Sequence, residues 1–166
     1  MVVAESQNTS IDIYTSTNLK NWTYQSTFGP QGFHESCQWE GPQLMRLAIE
    51  NSKGVYNYIL SVSVLEGTTD YYNMFVQYFV VNFNGTHLIN QNTPDLIKKA
   101  DYGTDFYQPK SMGDYTKKNH EVWIGWLNNL NYASSIPTKN WRGQMTLPRE
   151  ISLRSNQTSG TFDLVQ

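Results

Sequence analysis

The sequence predicts an all-β protein made of antiparallel sheets, arranged either as a sandwich or as a propeller. Short apolar segments recur at near-regular spacing between turn-forming residues, which is typical of all-β folds. No segment shows a sustained 3.6-residue periodicity, and only residues 92–100 could form one helical turn. The strands come as meanders, and two groups open with aromatic and acidic residues, at 39–40 and at 101–107. This favours a propeller, in which the first strand of each blade lines a central channel.

The predicted strands share apolar or alternating composition and are bounded mostly by Gly, Pro or Asn. In chain order they are residues 2–4, 11–15, 22–28, 45–50, 58–64, 74–83, 87–90, 121–127 and 144–153. Residues 45–50 alternate as a half-buried strand does. Residues 74–83 are apolar on both faces, which predicts a central strand. Pro148 predicts an edge or a bulge in the last strand, because proline has no backbone N–H to donate.

The composition limits the classes of partner. The 166 residues suffice for one domain with a real core. Charged residues make up only 16% of the chain and the net charge is −2, so there is no electrostatic case for binding nucleic acid or an anionic membrane. No stretch is long and apolar enough to span a bilayer. Aromatic residues make up 14%, so large rings must be buried or serve as binding surface.

Cysteine and histidine give little indication of chemistry. Cys37 is the single cysteine, so no internal disulfide can form and an idle thiol is the default. A nucleophilic thiol would need a base nearby, and His34 is the nearest histidine in sequence. His34, His87 and His120 lie far apart without ligand spacing, so we expect no metal site, and no cofactor is indicated.

Four Asn-X-Ser/Thr sequons favour a secreted glycoprotein. They lie at Asn8, Asn21, Asn84 and Asn156, although a chain with sixteen asparagines also produces sequons by chance. No signal segment precedes the first predicted strand. If the protein is secreted, we therefore expect that the front of it is missing from this chain.

The segment 39–44 (WEGPQL) is the strongest local indication of chemistry. A carboxylic acid held against aromatic surface loses hydration of its charged form, which raises its pKa. Such a group can hold a proton near neutral pH and donate it, as a general acid must. The alternative is that Trp39 and Glu40 simply form a pair at a strand entrance, with the carboxylate in water. The hexapeptide alone favours that alternative.

Three ordered segments resemble glycoside hydrolase family 32, the invertases, inulinases and levanases. They are WEGPQL at 39–44, DYGTDFYQPKS at 101–111, and residues 123–153, which contain NWRGQMTLPREISL. In that family the acid/base glutamate lies in a W/Y-E-C-P motif. A D-x-G-x-D-F-Y-A segment follows, and then W-R-x-x-M-(T/S)-L-P-R-E. Residues 13–23 also look like the family's segment ending in S-x-D-L-x-x-W, so the resemblance covers nearly the whole chain.

The resemblance implies a five-bladed β-propeller, of which residues 1–166 would be the C-terminal part of the catalytic domain, with about three antiparallel four-stranded blades. It also implies cleavage of terminal β-fructofuranosyl bonds, in sucrose or fructans, with retention. Two carboxylates about 5–5.5 Å apart perform such a reaction. Glu40 matches the acid/base position.

Three further residues are implied substrate contacts. Asp101 matches an aspartate near the leaving-sugar subsite, and its alternative is an Asx-turn before Gly103. Asp105 could bind substrate or brace its loop, and Trp39 is the third expected contact.

The chain also departs from the family pattern. Gly41 replaces the motif cysteine, Gln108 replaces an alanine, and Leu130 stands where a tryptophan commonly walls the fructose pocket. The nucleophile's Asn-Asp-Pro-Asn-Gly run and the Arg-Asp-Pro segment are absent. We expect both to lie before Met1. The chain would then supply the acid/base but not the nucleophile, and would be inactive and only marginally stable by itself.

Two other functions stay open. The departures at Gly41 and Leu130 would also fit a degenerate, non-catalytic propeller that binds carbohydrate. A sialidase is the third hypothesis, because residues 16–22 (STNLKNW) superficially resemble S-x-D-x-G-x-x-W. That segment lacks the Asp and the Gly, and the sequence shows no arginine cluster for a carboxylate sugar.

Overall fold

The computed structural model describes residues 1–67, 71–112, 121–158 and 160–166. These residues confirm the prediction of an all-β fold, with two single-turn 3-10 segments at Ser6–Asn8 and Ala133–Ser135. None of them belongs to a helix long and apolar enough to cross a membrane. The strands are β1 (Val2–Glu5), β2 (Ser10–Thr15), β3 (Thr23–Phe28), β4 (Cys37–Ala48), β5 (Tyr56–Gly67), β6 (Tyr72–Phe83), β7 (Leu88–Asn90), β8 (Lys98–Lys99), β9 (Tyr107–Ser111), β10 (Glu121–Trp126), β11 (Arg149–Asn156) and β12 (Thr161–Val165).

The strands form three antiparallel sheets, which are blades of the predicted propeller. The first sheet has the order β1-β2-β3, the middle sheet β4-β5-β6-β7 with β8 also on β6, and the third sheet β9-β10-β11-β12. The described strands therefore number three, five and four rather than four in each blade. Strand β4 contacts β1 of the first sheet and β9 of the third. We call this meeting of first strands the hub.

Two apolar layers hold the three sheets together. Each fully buried large apolar side chain in them stabilises the fold by roughly 1.5–3 kcal/mol. The layer between the first and middle sheets contains Ile11, Ile13, Phe28, Trp39, Leu60, Val62, Val64, Phe75, Phe79 and Val81. The layer between the middle and third sheets contains Met45, Leu47, Ile59, Val76, Tyr78, Val80, Ala100, Phe106, Trp123, Ile151 and Leu153. Strand β6 contributes to both layers and is paired along both edges, which confirms that it is a central strand.

Strand β4 is longer than the alternation of residues 45–50 predicted. It begins at Cys37, so the segment 39–44 lies inside the strand and not at its entrance. The register against β5 shifts between Glu40 and Gln43, and Gly41 has a φ of 53°. This bulge explains how Pro42 is accommodated inside a strand, since no ladder hydrogen bond is needed from it there.

Two local predictions were wrong. Residues 92–100 form no helical turn, because Pro94 lies in a turn closed by the Leu96 N–H and the Thr93 carbonyl, and Lys98–Lys99 then pairs with β6. The last predicted strand begins only at Arg149, directly after Pro148. Before that proline, residues 144–148 make one isolated bridge, between Met145 and Trp126. Strand β12 was not predicted.

Candidate active site

The Glu40 carboxylate lies at the hub, where β4 meets β9. Its Oε2 accepts a hydrogen bond of 2.8 Å from the Tyr107 hydroxyl and one of 3.0 Å from the Gln108 side-chain amide. Both donors come from the start of β9, 67 and 68 residues further along the chain. Glu40 is partly buried. Its carboxylate is therefore held in a fixed position between two blades.

Tyr107 is a permanent hydrogen-bond donor in this arrangement. Burial of the ring, followed by the hydrogen bond to Glu40 and the negative charge of that carboxylate, raises the pKa of Tyr107 well above the ordinary value for a phenol. The hydroxyl consequently keeps its proton over the whole working range of a protein. The hydroxyl therefore donates its hydrogen bond to Glu40 and stays protonated itself.

Gln43 ties the two strands together one step beyond the bulge. Its Nε2 donates to the Pro109 carbonyl, and its Oε1 accepts a hydrogen bond of 2.7 Å from the Ser111 N–H. Because β4 and β9 belong to different sheets, no ladder of main-chain hydrogen bonds joins them here. The side-chain amide of Gln43 fixes their spacing next to Glu40.

Gln108 has an unusual backbone conformation. Its φ is 43°, in the left-handed region that residues other than glycine rarely adopt. Such a conformation costs roughly 1–3 kcal/mol and persists only where the surrounding structure imposes it. The Gln108 N–H donates a 3.0 Å hydrogen bond to the Ser63 hydroxyl, and Ser63 is buried in the middle sheet opposite Glu40. Sequence reasoning noted Gln108 only as a departure from a motif and did not identify Tyr107.

Trp39 does not contact a ligand surface, and the expectation that it binds substrate is corrected here. Its indole is 0% exposed and packs against Phe79 in the layer facing the first sheet. The Trp39 Nε1–H donates to the Phe33 carbonyl at 2.8 Å. Successive side chains of a strand point to opposite faces, so Trp39 points away from Glu40. The surroundings of the Glu40 carboxylate are a tyrosine and an amide, not the adjacent tryptophan.

Asp101 forms the Asx-turn that was its alternative interpretation. Its Oδ1 accepts a 2.7 Å hydrogen bond from the Gly103 N–H, and its Oδ2 lies 2.6 Å from Arg149 Nη1. The carboxylate also lines a cavity of about 200 Å³, together with Lys99, Thr104 and Asn129. Asp101 is thus oriented by the turn and the ion pair beside a hollow, and substrate contact stays a prediction.

Asp105 accepts a hydrogen bond from the Tyr132 hydroxyl. This hydrogen bond, with further contributions from burial and the carboxylate charge, raises the pKa of Tyr132. The contact joins the loop before β9, which contains Asp105, to the loop between β10 and β11, as a bracing role would require, and substrate contact stays a prediction. Among the described residues, no hydrogen bond links Asp101 or Asp105 to Glu40. The structure therefore places the three acidic residues in three separate hydrogen-bonded groups.

Leu130 lies on that same loop with 43% of its surface exposed. The next residue, Asn131, donates to the Tyr72 carbonyl and accepts from the Tyr72 N–H, both at 2.7 Å. This pair of hydrogen bonds fixes the loop against the start of β6. An aliphatic side chain thus occupies the position where the resemblance implies a tryptophan.

Cys37 and His34 do not form a nucleophilic pair. The His34 Nδ1 contacts the Gly32 carbonyl, and the Cys37 thiol points to the Phe33 carbonyl. Burial, with a smaller contribution from Glu66, raises the pKa of Cys37 to about 11. Within the described residues no three His, Cys, Asp or Glu side chains come together as metal ligands, and His120 lies outside them.

The Cys37 thiol is expected to react slowly with iodoacetamide. With a pKa of about 11, its thiolate fraction at pH 8 is roughly 100-fold smaller than that of an ordinary thiol, because only the deprotonated form attacks. The rate, followed by mass spectrometry, should rise about tenfold for each pH unit from 7 to 10. Unfolding in urea should abolish the difference. Equal rates for folded and unfolded protein would contradict the assignment.

Antiparallel blades with a hydrogen-bonded carboxylate at their hub form the arrangement of a propeller-type glycoside hydrolase. The family model for the "Glycosyl hydrolases family 32 N-terminal domain" matches residues 1–163. The chain therefore belongs to glycoside hydrolase family 32, which confirms the resemblance found in its motifs.

Individual relatives agree with this membership. The chain is 40% identical over 145 residues to a levanase of Bacillus subtilis, covering 86% of this chain and 21% of the relative. It is 34% identical over 159 residues to an extracellular exo-inulinase of Aspergillus niger, covering 90% and 28%. A fructofuranosidase from Schwanniomyces occidentalis, solved with fructosylnystose, superposes with a TM-score of 0.85 at 30% identity, covering 100% of this chain and 31% of that structure. The chain thus spans between a fifth and a third of the length of these relatives.

Proposed function

We propose that Glu40 is the general acid and base in retaining hydrolysis of terminal β-fructofuranosyl bonds, with the nucleophilic carboxylate outside residues 1–166. The observation that carries the proposal is the Glu40 carboxylate, fixed by Tyr107 and Gln108 at the hub of a family 32 chain. The substrates proposed are sucrose or fructans. One relative is named a levanase and another an exo-inulinase, and a structural neighbour holds fructosylnystose.

The two oxygens of Glu40 have different surroundings, which suits this role. Oε2 accepts two hydrogen bonds, whereas no described residue bonds Oε1. In the first step Oε1 would hold the proton and pass it to the glycosidic oxygen while the nucleophile attacks the anomeric carbon. In the second step the same carboxylate would take a proton from the water that releases the sugar.

Asp101 and Asp105 are the proposed substrate contacts of this chain. Each carboxylate can accept further hydrogen bonds from sugar hydroxyls, because an ionised carboxylate offers about four acceptor sites. The cavity beside Asp101 supports a position for the leaving part of the substrate. Secretion is proposed as well. Asn21 and Asn84, two of the sequon asparagines, lie exposed in turns, and one relative is named extracellular.

A second candidate is a propeller that binds fructans without cleaving them. The exposed Leu130 favours it, because an aliphatic side chain offers no ring face for a sugar to stack on. Gly41, in place of the motif cysteine beside Glu40, also favours it. Both candidates would bind fructans, so turnover is the observation that distinguishes them.

The test is an assay of the complete gene product that carries this sequence. With sucrose, inulin and levan as substrates, it should release fructose, and added methanol should trap methyl β-fructofuranoside, the product of retention. Residues 1–166 alone should show no turnover. Binding of inulin or levan without fructose release would support the second candidate instead, and a methyl α-fructofuranoside product would contradict the retaining mechanism.

A further inference from the structure

We infer that Gln108 is a positioning residue for the Glu40 carboxylate, and that it can act in this way because residue 41 is glycine. The inference deepens the proposed function and rests on it. It concerns two residues at which this chain departs from the family motifs. They face each other in the structure, so that a side chain at residue 41 would meet that of Gln108.

Two neighbouring side chains of β9 are directed at the same atom. Tyr107 and Gln108 are consecutive in β9, so in a regular strand they would point to opposite faces of the sheet. Both nevertheless donate to the same oxygen of Glu40. The left-handed conformation at Gln108 makes this geometry available. A bulge accompanies it, since Tyr107 pairs with Trp126 and Lys110 with Ile124, leaving two residues of β9 opposite one of β10.

The strained conformation of Gln108 is held from outside β9. The buried Ser63 hydroxyl accepts the Gln108 N–H, and Ser63 pairs with Glu40 across β4 and β5. The middle sheet therefore fixes both partners, the carboxylate through β4 and the glutamine through β5. Unusual backbone geometry maintained by its surroundings is a feature of functional sites.

Side chains of β9 border the space around residue 41. A Cβ at Gly41 would lie 3.2 Å from Lys110 Nζ and 3.5 Å from both Cγ and Cδ of Gln108. The contact with Gln108 would be an ordinary van der Waals contact for the Cβ itself, but a further atom that points from it towards β9 would compete with the glutamine side chain for the same volume. The family motifs have a cysteine and an alanine at these two positions. This chain has a glycine in β4 and a glutamine in β9, so the side chain is smaller on β4 and larger on β9 than in the family motifs.

Losing this positioning should affect substrates differently, depending on how much protonation their leaving group needs. Two donors on Oε2 prevent the carboxylate from rotating and keep Oε1 directed at the bond to be broken. Loss of one donor should impair protonation of an alkoxide leaving group, since proton transfer depends on alignment. A fluoride leaving group needs little protonation. A merely structural role of Gln108 would slow both classes of substrate alike.

The experiment compares sucrose with β-fructofuranosyl fluoride in the complete gene product. Gln108→Ala should lower kcat/KM for sucrose by about tenfold or more and change kcat/KM for the fluoride by less than about threefold, because kcat/KM reports the step in which the leaving group departs and not the base-assisted release of the sugar that both substrates share. Gln157→Ala, the same substitution at an exposed turn, should change neither. Gln108→Met keeps the length without the donor and should reproduce the effect of Gln108→Ala. If Gln108→Ala does not fold, the result for Gln108→Met tests the positioning role in its place.

A double-mutant cycle tests the dependence on glycine. Gly41→Cys alone should lower kcat for sucrose, and adding Gln108→Ala to it should restore activity about fivefold or more relative to Gly41→Cys. Additive losses would overturn the coupling. If the unsubstituted protein cleaves both sucrose and β-fructofuranosyl fluoride, and Gln108→Ala slows both equally, only the positioning role of Gln108 would be overturned. A parent that cleaves neither would overturn the proposed function and this inference together.

Discussion

Replacing Glu40 by glutamine should lower kcat for sucrose or fructan hydrolysis at least about 100-fold, because a positioned general acid typically contributes 10²–10⁴-fold. Glutamine has the same shape, and its carbonyl oxygen can still accept the hydrogen bonds of Tyr107 and Gln108. The amide, however, cannot pass a proton to the glycosidic oxygen. The measurement is steady-state release of fructose by the complete gene product and its variant.

Two controls make this result specific. Glu5→Gln makes the same chemical change at an exposed position of β1 and should leave kcat unchanged. In Glu40→Ala, added azide should restore turnover of β-fructofuranosyl fluoride and yield the β-azide, because azide needs no base to attack the intermediate. Full activity of Glu40→Gln would reject the acid/base role.

Replacing Trp39 by alanine should lower the free energy of unfolding by about 3–5 kcal/mol, as is typical when a large buried aromatic side chain is truncated. The indole is 0% exposed, packs on Phe79 and donates to the Phe33 carbonyl. Truncation therefore leaves a cavity and a carbonyl without that donor. Urea unfolding followed by circular dichroism measures the change.

Trp141→Ala is the matched control for this prediction. Its ring is 63% exposed, so its removal should change the free energy of unfolding by no more than about 0.5–1 kcal/mol. Equal losses in the two variants would contradict the burial of Trp39. A folded Trp39→Phe variant should keep the KM for sucrose within about twofold, since the position has no exposed surface to offer a sugar.

The regular strands were predictable because their side-chain pattern is local. Strand β6 is apolar on both faces, and its burial follows directly from that pattern. The prediction of a helical turn at residues 92–100 was wrong because a tertiary contact decided their conformation: Lys98–Lys99 pairs with the part of the β6 edge that β7 does not cover. The strand predicted over residues 144–153 was wrong in its first half. Pro148 has no backbone N–H to donate, and the strand begins only at Arg149.

A motif in the sequence indicated Glu40, whose catalytic role stays a prediction, but the surroundings of its carboxylate were not predictable. Glu40 was found through a motif, but the physical reason first given for it, the adjacent Trp39, was wrong, because the two side chains point to opposite faces of β4. The groups that surround the carboxylate come from β9, and no local pattern pairs Tyr107 or Gln108 with residue 40. The Asx-turn of Asp101 was readable because Gly103 lies two residues away.

The amide of Gln43 has a consequence for how this molecule can vary. Its two hydrogen bonds replace the main-chain hydrogen bonds that neighbouring strands of one sheet would form. They set the distance between β4 and β9 at the hub, whatever the outer strands of the blades do. Lengthening of outer strands such as β7 or β12, or growth of the turns that follow them, would leave that separation unchanged. Variation at the periphery and a constant position of the Glu40 carboxylate are therefore compatible in one chain.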